Sequence, residues 1–105
     1  MMEKKAKLPS IKEVAALVKA LKGDIGDDYR ASEDEDIPGM AITIGVDPDT
    51  GSWSYQTGDN SYSGGAYGYQ FWGVGAIYRR SNSREVAKAL IDDAADQVYS
   101  CGDYQ

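Results

Sequence analysis

MAITIGVDPDTGSWSYQ, residues 40–56, spells a β-hairpin. Met40, Ile42, Ile44 and Val46 recur at every second position, with Ala41, Thr43 and Gly45 between them. That is the period of a strand with one apolar face. DPDTG then breaks it: Pro48 presets φ for a turn, Asp47 and Asp49 can accept from nearby backbone amides, and Gly51 supplies a left-handed residue. A four-residue loop, Pro48 to Gly51, sets Val46 opposite Trp53 and Ile44 opposite Tyr55. Both aromatics then share the apolar face, which predicts that they join the core, with Trp53 largely buried against the helices. Ser52, Ser54 and Gln56 are expected on the other, polar face.

Downstream the aromatic content stays high. Trp53 to Arg80 holds eight of the chain's eleven aromatic residues. Its middle, Thr57 to Tyr69 (TGDNSYSGGAYGY), is rich in Gly, Ser and Asn and reads as a long loop, and loops of that length are usually functional or disordered. Tyr62, Tyr67 and Tyr69 fall there with no strand or helix period to bury them, so they need either the core beneath the loop or a partner above it. Gln70 to Arg80 reads as a strand, with Trp72, Val74, Ala76 and Tyr78 on one side and Phe71, Gly73, Gly75 and Ile77 on the other. Small residues alternating with large ones predict a central or closely packed strand.

A helix flanks the strands on either side. Ser10 and Glu13 form an S-x-x-E capping box, and Ile11, Val14, Ala15, Val18 and Leu21 follow at helical spacing. Lys19 and Lys22 lie in the last turn, where the macrodipole favours cations, and Gly23 stops the helix. Asn82 and Glu85 make a second cap pair, opening a helix to about Tyr99. Its apolar stripe is Val86, Ala87, Leu90, Ile91, Ala94, Ala95 and Val98, with Arg84, Lys88, Asp92, Asp93 and Asp96 outside. The predicted fold class is therefore α+β: a three-stranded antiparallel sheet with two helices packed on one face, order α-β-β-β-α, in a single domain over 1–105.

Charge is unevenly spread along the 105 residues, whose formal net charge is −6. Residues 1–22 carry six lysines against two glutamates, whereas residues 23–49 carry nine acids against Arg30 alone. Within the second block, residues 24–39 (DIGDDYRASEDEDIPG) show no periodicity and are expected to form an acidic loop. Such a loop can present Glu33, Asp34, Glu35 and Asp36 to a basic partner. One cysteine excludes an internal disulfide and fits a reducing cytoplasm. MMEKKAKLPS has no apolar h-region, so no secretory signal is expected, and no apolar run approaches a membrane span.

The α-β-β-β-α order resembles the double-stranded-RNA-binding domain. That resemblance implies phosphate contacts at the start of the second helix, where this chain offers Arg79, Arg80, Arg84 and Lys88. The acidic balance counts against nucleic acid. A second resemblance rests on Trp53-Ser54-Tyr55-Gln56-Thr57-Gly58-Asp59-Asn60-Ser61-Tyr62, then Gly64-Gly65-Ala66-Tyr67-Gly68, and Arg79-Arg80-Ser81-Asn82-Ser83-Arg84-Glu85. Over roughly residues 40–100 it is similar to small uncharacterised acidic proteins of phages and bacterial mobile elements. It implies a setting in which small acidic proteins block host defence nucleases.

Signals for catalysis are weak. The chain has no histidine, so imidazole acid–base chemistry and His-based triads are absent. Cys101 has no histidine to activate it. Asp47 and Asp49 begin like a calcium loop but lack the further ligands and the closing glutamate. Gly64 to Gly68 is followed by no Lys-Ser/Thr and is no phosphate loop. Asp59 and Asn60 read as turn caps. No catalytic residue, metal ligand or cofactor is predicted.

What remains is an interaction protein. Tyr, Trp and Arg anchor interfaces, and Tyr/Ser/Gly loops have the composition of binding loops. The predicted partner-binding residues are Tyr62, Tyr67, Tyr69, Trp72, Arg79 and Arg80, with Glu33, Asp34, Glu35 and Asp36 facing a basic protein surface. The alternative is a nucleic-acid-binding module that stacks bases on the aromatics and meets phosphates with Arg79, Arg80 and Arg84.

Overall fold

The computed structural model describes residues 6–28, 30–31, 34–58, 69 and 71–100. The elements in chain order are α1 (Ile11–Lys22), β1 (Arg30–Ala31), β2 (Asp34–Val46), β3 (Trp53–Thr57), β4 (Phe71–Tyr78) and α2 (Ser83–Ser100). β2 is the centre of a three-stranded antiparallel sheet, with β3 on one edge and β4 on the other. The fold is α+β with two helices on one face of that sheet, as the periodicities predict.

The hairpin takes its expected register. Val46 pairs with Trp53 and Ile44 with Tyr55. Asp47 N–H donates to Ser52 O at 2.9 Å, and Gly51 N–H to Asp47 O at 2.7 Å. Asp49 N–H donates to Asp47 Oδ1 at 3.0 Å, an Asx turn. Gly51 has φ 83°, where a side chain would be strained.

The acidic stretch departs from expectation. Residues 24–39 do not form one loop: Arg30–Ala31 is a strand, and β2 begins at Asp34 rather than Met40. Arg30 pairs with Pro38 and Ala31 with Asp34, closing a short hairpin. Local composition disfavours a strand here. Continuation of a ladder already anchored at Met40–Val46, with a partner strand beside it, overrides that weak preference.

Each helix buries the stripe read from its sequence. Ser10 Oγ accepts from Glu13 N–H at 3.1 Å, and Val14, Ala15 and Val18 are buried. Gly23 ends α1 in a right-handed conformation, its N–H donating to Ala20 O. Asn82 Oδ1 accepts from Glu85 N–H at 3.0 Å to start α2, whose Ala87, Leu90, Ile91, Ala94 and Val98 join the core. These meet Met40, Ile42, Ile44 and Val46 of β2 and Phe71 and Ile77 of β4.

Glycine sets how closely α2 lies on the sheet. A Cβ on Gly73 would stand 1.9 Å from Leu90 O, and one on Gly75 would stand 3.1 Å from Leu90 Cδ2. The helix backbone therefore rests directly on β4 at Gly73. Drawn in there, α2 packs chiefly on β4 and less on β2, and α1 lies against α2. The far edge, β3, receives little helix cover. Trp53 is consequently only half-buried, and Tyr55 is 38% exposed, which corrects the expectation that both are core.

Candidate functional site

The sheet has a second face, turned away from the helices. Strand alternation places Gly39, Ala41, Thr43 and Gly45 of β2 on it, opposite Tyr78, Ala76, Val74 and Trp72 of β4. Ser54 and Gln56 of β3 belong to it as well, half-buried beside Gly45 and Thr43. Exposure is concentrated on β4. Val74 is 39% exposed, with Trp72, Ala76 and Tyr78 half-buried around it, whereas Thr43 in the middle of the face is wholly buried. Ile37, 49% exposed and two residues before Gly39, continues the apolar row past Tyr78.

Side-chain bonds hold the β4 aromatics in place. Trp72 Nε1 donates to Tyr69 O, and Tyr69 Oη donates to Ser52 Oγ at 3.4 Å. Trp72 N–H donates to Gln97 Oε1 at 3.1 Å, and Gln97 Nε2 donates to Trp72 O at 2.6 Å. Asp93 Oδ2 accepts from Val74 N–H at 2.9 Å. Tyr78 N–H donates to Ser81 Oγ at 2.9 Å, and Ser81 N–H returns to Tyr78 O at 3.0 Å. The outer edge of β4 is thus closed at Trp72, Val74 and Tyr78 by groups from α2 and the turn before it. A closed edge offers few main-chain groups to a foreign strand.

Beyond Tyr78 the charges differ from those of the chain at large. Arg79 Nε and Nη2 donate to Ile25 O at 3.3 and 3.0 Å, and Nη2 also bonds Asp27 Oδ1 at 3.0 Å. Lys22 Nζ donates to Ser81 O. Arg80 is exposed. Three cations therefore gather at one corner of an acidic protein, with Asp27, its side chain 88% exposed, as the paired acid.

Among the predicted partner residues, Trp72 lies near the start of β4, adjoined by Tyr69, whereas Arg79 and Arg80 follow its far end, so the length of the strand separates them. Arg79 is committed to Ile25 and Asp27 rather than left for a partner. Tyr62, Tyr67 and Glu33 lie outside the described residues, as does Cys101. Asp34, Glu35 and Asp36 are the first three residues of β2, so they belong to a strand instead of a loop. Sequence reasoning missed Gln97, Asp93, Ile37 and Tyr78. The first two lie four residues apart beside an apolar helix stripe, a spacing that puts them on one side of α2.

Among the described residues no group of three or more His, Cys, Asp or Glu side chains is placed to hold a metal ion. No described helix is long and apolar enough to cross a membrane. The chain matches no family model, no curated protein and no solved structure.

Proposed function

We propose that this is a non-enzymatic interaction protein whose partner is another protein, seated on the helix-free face of the sheet along β4. The observation that supports it most directly is Val74, an exposed β-branched residue in a row with half-buried Trp72, Ala76 and Tyr78, on a strand with a closed edge. Rigid aromatics beside an exposed apolar residue are the usual anchors of an interface. The partner presents a basic rim, because Asp93 and Glu85 on α2 are exposed acids beside Val74 of β4. A cytoplasmic inhibitor of a host protein, carried by a phage or mobile element, is the form of this reading that the sequence resemblance favours.

The alternative is nucleic-acid binding, with bases stacked on Trp72 and Tyr78 and phosphates met by Arg80 and Arg84. The acid on α2 and the engagement of Arg79 argue against it.

The test is capture of a partner from nuclease-treated host extract by the wild-type chain, Val74→Asp and Trp72→Ala, with melting temperatures measured alongside. Loss of the captured protein in both variants, with Val74→Asp melting like wild type, is expected. Capture unchanged by Val74→Asp refutes the face, and capture abolished by nuclease alone moves the function to nucleic acid.

A further inference from the structure

Where the helix-free face ends, Ile37, Pro38, Tyr78, Arg79, Arg80 and Ser81 line a hollow of about 630 Å³ that is open on one side to solvent. Small-molecule clefts span about 300–1,000 Å³ and combine apolar walls with a few placed polar groups. We propose that this hollow binds a small anionic molecule: one acidic group carried on a flat, apolar body.

The walls are pre-formed. A Cβ on Gly39 would stand 2.5 Å from the Tyr78 ring, so only glycine lets that ring lie across the strand. Ser81 ties the turn at its N–H and its Oγ to the two main-chain groups of Tyr78, while its carbonyl accepts from Lys22. Arg79 is fixed by Ile25 and Asp27. Fixed walls avoid the ordering cost that weakens binding at loose sites. Ile37, at 49% exposure, is a branched apolar side chain on the rim with half its surface in water, and covering it is favourable.

Charge decides the occupant. Arg80 lines the hollow, is exposed, and among the described residues has no hydrogen bond or ion pair. Its planar guanidinium accepts a carboxylate or phosphate in two parallel bonds, which a neutral ligand cannot match. Lys22, bonded to Ser81 O, adds positive potential from behind, whereas the charge of Arg79 is offset by Asp27. The rest of this chain, with 17 acids against 11 bases, repels anions. An anion is therefore directed to this corner, and the Tyr78 ring with Ile37 and Pro38 takes its apolar body.

The probe is 8-anilinonaphthalene-1-sulfonate, titrated by fluorescence into the folded chain and into Arg80→Glu, Ile37→Asp and Val74→Asp, each checked for an unchanged melt. Saturable binding by wild type and by Val74→Asp, weakened at least about tenfold by Arg80→Glu and by Ile37→Asp, is expected. Displacement then compares naphthoate, naphthyl phosphate and neutral 2-naphthol, and the proposal requires at least one anion to compete far better than the naphthol; which anion wins assigns the acidic group. No binding by wild type, equal binding by Arg80→Glu, or equal competition by the naphthol overturns it. Probe binding lost only in Val74→Asp also overturns it, because the probe then sits on the partner face; failure of that face leaves the hollow standing.

Discussion

Gln97 bonds both main-chain groups of Trp72, accepting from its N–H at 3.1 Å and donating to its carbonyl at 2.6 Å. A helix side chain here does what a neighbouring strand would do. Asp93, one turn earlier on α2, takes Val74 N–H in the same manner. An edge strand left open pairs with other chains, and these two side chains prevent it.

Gln97→Leu leaves two main-chain groups unpaired and should cost about 1–2 kcal/mol in denaturant unfolding. Gln97→Leu combined with Asp93→Ala should in addition form dimers through β4, seen by light scattering at concentrations where the wild-type chain is monomeric. A double variant that stays monomeric at every concentration would show that the edge is guarded by something else.

Gly73 and Gly75 separate backbone contact from side-chain contact. Gly73→Ala drives a methyl into the Leu90 carbonyl, so α2 must move off the sheet, at a cost of about 3 kcal/mol or more. Gly75→Ala meets only the tip of Leu90 and should cost under about 1.5 kcal/mol. Equal losses in the two variants would contradict the close approach at Gly73.

Trp53 is an edge residue with partial cover. Trp53→Ala should cost about 2 kcal/mol, well below the loss for a fully buried tryptophan. In Trp72→Phe, where Trp53 is the remaining indole, emission should peak between the values for water-exposed and fully buried tryptophan.

Arg79 and Asp27 share an ion pair whose halves are not equivalent. Arg79→Ala also frees the Ile25 carbonyl and should destabilise by about 1–2 kcal/mol. Asp27→Ala removes an exposed ion pair while leaving the Arg79–Ile25 contact in place, and should cost less than Arg79→Ala, about 1 kcal/mol or under. Matching effects would mean that the pair, rather than the carbonyl contact, carries the stability.

Much of this was legible in the sequence because it is local. Asp47, Pro48 and Gly51 specify the turn that sets Val46 against Trp53. Ser10 and Asn82 mark their helices, and the apolar stripes name the residues that become buried. What was not legible depends on distance along the chain. The half-exposure of Tyr55 follows from α2 settling over β4, which turns on Gly73 meeting Leu90 seventeen positions later. The strand at Asp34–Gly39 follows from pairing with Arg30–Ala31, against local preference. The roles of Gln97 and Asp93 required the position of a strand more than fifteen residues upstream. In the candidate site, aromatic composition pointed to Trp72, but Ile37 and Tyr78 became neighbours only through the β2–β4 register.

The central place of β2 also matters while the chain is being made. α1 and the β2–β3 hairpin are complete once residue 57 has left the ribosome. Met40, Ile42, Ile44 and Val46 share one core with Phe71 and Ile77 of β4 and with Ala87, Leu90, Ile91, Ala94 and Val98 of α2, all of which are translated later. Throughout that interval the nascent hairpin carries an apolar face that α1 alone can meet, most of its core partners being still unmade. Chaperone occupancy on stalled nascent chains should therefore be high at residue 60 and fall once residue 98 has emerged.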